Sequence, residues 1–167
     1  MGDSRLWGVY VCSACAGIIA AEAPQFQARI INLIPTIKDF SKDIPEFPRE
    51  LLRQAYESLH APAGAILLSA SAIDAMLKIK EYVDGSLKTR INQAVTNDLL
   101  TKDMGEWAHH VRLDANDQRH ADLDAGLPTD AQARQSVEFA EALAEILFVL
   151  PARVNRGINK AKDSESK

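Results

Sequence analysis

Arg112, Asn116 and His120 recur at steps of four inside the stretch from Met104 to Asp124. On a helix, that spacing sets them along one polar stripe. The most demanding chemistry such a set supports is metal-independent RNA cleavage. A base takes the 2′-OH proton while a cation steadies the phosphorane. His120 would be the base, since an imidazole titrates near neutral pH. Arg112 would be the cation. Eight helical residues separate the two by about 12 Å along the axis and turn their side chains by about 80°. A second copy of the chain would have to close that gap. Arg119 is a further cation, on what reads as a different face. Two simpler roles stand beside catalysis. Arg112, Asn116, Arg119 and His120 suit a ligand held without turnover, and the stripe equally suits hydrogen bonds that anchor the loop after the helix.

Cys12 and Cys15 form one Cys-x-x-Cys. The spacing excludes a disulfide framework and suits a reducing compartment. Leu6 to Val11 has β character, Ser13 to Gly17 holds a turn, and Ile18 to Ala20 can return. Two cysteines flanking such a turn are arranged as in a zinc knuckle, but a structural zinc takes four ligands and only two are here. Three readings follow: a remnant of a ribbon, a zinc site at Cys12 and Cys15 completed by a borrowed ligand, or a redox pair. The redox reading lacks the βαβ context it usually has. No cofactor is otherwise required.

These groups need elements to hold them. The 167 residues suit one main domain with its own core. Few aromatics and many alanines favour helices. A net charge of −4 argues against wrapping DNA by bulk charge but leaves room for a local basic patch. The apolar run from Leu6 to Ala21 is too short and interrupted to span a bilayer. Met1 to Arg5 lacks the positive charge of a secretory leader, and Pro24 would follow its cleavage site directly. The expectation is a cytoplasmic protein with no membrane partner.

Residues 1–23 read as the hairpin. Residues 24–47 read as a proline-punctuated connector, apolar enough to pack on the domain. Residues 48–151 read as a bundle of about five helices. The first helix starts near Pro48 and buries Leu51, Leu52, Ala55, Tyr56 and Leu59. The second, from Pro62 to Lys80, carries no charge between Ala63 and Ile73 and therefore belongs at the centre. Asp74 is its first charge and is placed to face the site. A third helix follows Gly85. The fourth carries the polar stripe, with Trp107 on its apolar face. The fifth is capped by Thr129 and ended or kinked by Pro151. Residues 152–167 read as a frayed basic tail.

The chain resembles a family at this point. The residues that carry the resemblance are Leu87-Lys-Thr-Arg-Ile91, Leu100-Thr-Lys-Asp-Met104, Trp107-Ala-His-His-Val-Arg112, Asn116-x-x-x-His120 and the Thr129-Asp-Ala opening of the last helix. Over roughly residues 48–151 they resemble the domain of unknown function 4145 family, which is placed among the HEPN helical bundles. The Cys-x-x-Cys hairpin resembles the zinc ribbon that many relatives carry. The resemblance implies an all-α, HEPN-like fold, a homodimer, a nucleotide or RNA ligand, and a bacterial setting with a defence-system protein partner. RNA-cutting HEPN proteins carry Arg-Asn-x-x-x-His. Asn116 and His120 match that motif, but the arginine position is Ala115. The leading expectation is therefore a non-catalytic binding or accessory module. The alternative is an endoribonuclease that uses His120 and Arg112 across a dimer.

Overall fold

The structure is a computed structural model that describes residues 5–13, 16–25, 29–34, 38–120 and 126–165. The chain divides into two compact units, residues 1–39 and 40–167. The first holds a three-stranded antiparallel sheet in the order β1-β2-β3: β1 Arg5–Val11, β2 Ile18–Pro24 and β3 Asn32–Ile34. Val11 pairs with Ile18 and Leu6 with Ala23, as the hairpin reading requires. Cys12 closes the turn by donating its N–H to Gly17 O at 2.7 Å. β3 falls in what the sequence presents as connector. Its Leu33 pairs with Ala21 across the ladder, in a stretch that Pro24 and Pro35 bracket in the sequence. A three-residue strand is too short to show a period of two.

The second unit is helical: α1 Glu46–Glu57, α2 Pro62–Ile79, α3 Leu87–Thr96, α4 Lys102–His120, α5 Asp130–Ala144 and α6 Leu150–Glu165. The second half of the connector belongs here, with Ile44 buried in the core and Phe40 packed against it. Starts follow local chemistry. Pro62 opens α2, where a missing N–H costs nothing. Ser86 caps α3 by accepting from Thr89 N. Thr101 Oγ1 accepts from Met104 N at the head of α4. Thr129 and Gln132 cap α5 reciprocally as a capping box.

α2 packs against α1, α3, α4 and α5, which explains its uncharged run. Ile66, Ile73, Met76 and Leu77 are fully buried, along with Leu52, Ile91, Phe139 and Leu143 from its neighbours. Trp107 departs from expectation. It stays 40 % exposed and leans on Phe139 with ring centroids 5.0 Å apart.

The tail is helical as far as Glu165. A π-helical turn, Glu145–Val149, joins α5 to α6 in one continuous helical run, so the bundle has five rods. A proline inside an α-helix removes the bond to the residue four earlier and crowds its carbonyl. Here that residue is Leu147, which lies in the π turn where bonds reach one residue further. The turn absorbs Pro151, and the helix continues. Arg156 then anchors α6 by a two-pronged ion pair to Asp43, at 2.7 and 2.9 Å.

Candidate functional site

A groove of about 620 Å³ lies where α1, α2, α3 and α4 meet. Its floor is small and apolar, with Ala70, Ala75 and Ala115. Five basic side chains line it: Lys78, Lys88, Arg90, Arg112 and Arg119. The one carboxylate is Asp74. On a chain of net charge −4, this is a local reversal of sign.

Two of the five cations are committed. Arg90 donates Nη1 to Asp74 Oδ1 at 2.5 Å and Nη2 to Val83 O and Gly85 O at 3.0 and 2.7 Å. Lys78 holds the other Asp74 oxygen at 2.7 Å. Arg90 thereby ties the turn before α3 to α2. That turn needs Gly85 at φ +73°, a conformation other residues rarely adopt. The result sets Ser86 and Lys88, in the first turn of α3, on the groove wall. Lys88, Arg112 and Arg119 make no ion pair among the described residues. Arg112 Nε is buried without a hydrogen-bond partner there.

The groove gathers Arg112, Asn116 and Arg119 and leaves out His120, an exposed residue at the end of α4. Helix geometry accounts for both. Seven residues amount to nearly two whole turns, so Arg119 returns to within about 20° of Arg112, whereas His120 overshoots by about 80°. The expectation that Arg119 faces elsewhere is corrected on that ground. Asp74 faces the site as expected. Lys78, Lys88 and Arg90 are groove residues that the stripe on α4 does not reveal. They come from α2 and α3, so only the packing of those helices against α4 brings them to the groove.

A second concavity of about 420 Å³ lies between α3 and α4, where His109, His110 and Glu106 face Asn92 and Val95. Gly105 lets the helices close, since a Cβ there would collide with Val95 Cγ2. His109 Nε2 lies 2.8 Å from Asn92 Oδ1 and so donates to it, which leaves Nδ1 a buried acceptor without a donor among the described residues. Burial, then the positive charges of Arg112 and Lys88, holds His109 below the ordinary imidazole range. Burial, then Asp117, pushes the Asp114 carboxyl up.

Cys12 is half-buried at the β1–β2 turn, and Cys15 lies outside the described residues. Among the described residues, no three His, Cys, Asp or Glu side chains cluster as metal ligands.

No curated protein matches this chain, and no solved structure does. The model of one family, Domain of unknown function (DUF4145), matches residues 53–161, from the second turn of α1 to well inside α6. The segment beyond Pro151 is thus part of the family domain, and the chain belongs to the domain of unknown function 4145 family.

Proposed function

We propose that this chain is a non-catalytic, HEPN-like binding module whose basic groove holds a phosphorylated ligand, a nucleotide either free or as part of single-stranded RNA. One observation carries the reading. Five basic side chains surround a single, already neutralised carboxylate in a groove of about 620 Å³. That volume is within the range of about 300–1,000 Å³ usual for small-ligand sites. Lys88, Arg112 and Arg119 supply donors for phosphate oxygens, and a planar guanidinium can grip two oxygens at once. Phe47, Leu51 and Leu87 give the same groove an apolar wall for a base or ribose.

The endoribonuclease alternative needs His120 from a second copy, because within one chain His120 lies outside the groove lining. One assay separates the readings. Labelled single-stranded RNA and a labelled adenine nucleotide are titrated with protein in EDTA, followed by anisotropy, and the RNA is then checked for cleavage. Binding that weakens with salt, with RNA left intact, is expected. Arg112→Ala should weaken it about tenfold, the loss of one charge-assisted hydrogen bond. Absence of binding to either probe at low salt would overturn the proposal. RNA cleavage that disappears in His120→Ala would replace it with the nuclease reading.

A further inference from the structure

Lys88, from the first turn of α3, and Arg112 and Arg119, from one face of α4, enter the groove without an ionic partner among the described residues. Arg112 Nε is buried in the wall, so its guanidinium meets the groove through Nη1 and Nη2. Asp74, the one carboxylate of the lining, is held by Arg90 and Lys78 and leaves these three uncompensated. The first turn of α3 adds no acidic side chain. Its Leu87 and Lys88 N–H groups have no acceptor among the described residues, because Ser86 Oγ accepts from Thr89 N and Ser86 O from Arg90 N.

So many donors exceed what an internal phosphodiester uses. Such a link carries a single charge on its two unbridged oxygens. A terminal phosphate monoester carries about −1.5 to −2 at neutral pH, spread over three. The added oxygen and charge take charge-assisted hydrogen bonds from cations that a diester leaves unanswered. The apolar wall is matched to one base. Phe47, 68 % exposed, is the single aromatic side chain of the lining. A surface that tracks a strand instead stacks successive bases on several aromatics.

We propose that the groove selects a terminal phosphate monoester, carried by a free nucleotide or by the end of an RNA strand, over the internal phosphodiesters of that strand. The inference rests on the phosphate-binding reading of the groove and names the form of phosphate it takes. Lys88, Arg112 and Arg119 hold the three free oxygens. Phe47 stacks on the base of the nucleotide that bears them.

The test is calorimetric titration of the full chain at one salt concentration. One short RNA is used with a 5′-hydroxyl, a 5′-phosphate, a 3′-phosphate, or a 5′-phosphate closed as its methyl ester. Adenosine is compared with adenosine 5′-monophosphate in the same way. The monoester forms are expected to bind at least about tenfold more tightly than the hydroxyl and methyl ester forms. The two sets of probes tell a strand end from a free nucleotide. Lys88→Ala should cut the preference at least about threefold, with little change for the 5′-hydroxyl RNA and unchanged helical circular dichroism, because Lys88 is exposed. Lys102→Ala, at a basic residue outside the groove, should leave the preference as it is. Equal affinity for monoester, hydroxyl and methyl ester forms would overturn this inference and leave the groove's binding role standing. No binding of any form would overturn both. A preference that survives Lys88→Ala combined with Arg119→Ala would also overturn the inference.

Discussion

The Arg90 guanidinium clasps Asp74 from sixteen residues away, with Nη1 to Oδ1 at 2.5 Å, while its remaining N–H groups hold Val83 O and Gly85 O. One side chain thus joins α2, the α2–α3 turn and the first turn of α3, the three parts that frame one side of the basic groove. The Arg90 side chain is only 11 % exposed, so its bond to Asp74 is partly shielded from water, whereas the bonds to Val83 O and Gly85 O lie at the surface.

Truncation of that clasp should therefore cost stability as well as shape. Arg90→Ala leaves Asp74 with Lys78 alone and two carbonyls without their donor. We expect a loss of about 2–4 kcal/mol in urea unfolding. Arg90→Lys should recover less than half of it, since an ammonium does not reach three acceptors in a fixed fork.

Gly105 sets the closeness of α3 and α4. Gly105→Ala would gain helix propensity of up to about 1 kcal/mol. The Cβ contact with Val95, a stiff β-branched side chain, opposes that gain. Net destabilisation of about 1–2 kcal/mol is expected. Val95→Ala in the same chain should relieve part of it, and a double-mutant cycle measures the coupling.

The reciprocal cap at Thr129 holds the start of α5. Thr129→Ala removes the acceptor for Gln132 N and should cost about 1 kcal/mol. Thr129→Ser should keep most of the stability, as thermal unfolding would show.

His109 makes stability depend on pH. Its folded-state pKa lies below the ordinary value of 6.5, through burial and the charges of Arg112 and Lys88. The unfolded chain therefore binds more protons, and stability rises with pH. It should be fully present above about pH 6.5 and fall as pH drops from there toward the lowered folded value. His109→Gln should flatten this part of the unfolding profile. A slope of equal size in the variant would assign it to another group.

Much of the helical scaffold is legible in the residues because each signal is local. Pro62 and Thr129 mark helix starts, and the uncharged run from Ala63 to Ile73 marks a central rod, as the packing of α2 on four helices shows. Two features escaped for a shared reason: the sequence shows a breaker but not its compensation. Pro151 reads as an end, yet the π turn before it lets the helix go on. The prolines around Asn32–Ile34 read as connector, yet three residues pair there with β2. The site was half visible. Arg112 and Asn116 stand out on their own helix, and Arg119 follows once the step of seven is counted. Lys78, Lys88 and Arg90 join them only through the packing of α2 and α3 on α4, which no single-helix pattern encodes.

The central claim is that this groove binds a phosphorylated ligand, and amide proton–nitrogen spectra during titration with a short single-stranded RNA test it most directly. The account predicts saturable shifts at Ser86, Lys88, Arg112, Asn116 and Arg119, lost in Arg112→Ala with Arg119→Ala. Spectra unchanged at low salt, or shifts confined to the concavity around Asn92 and His109, would contradict it.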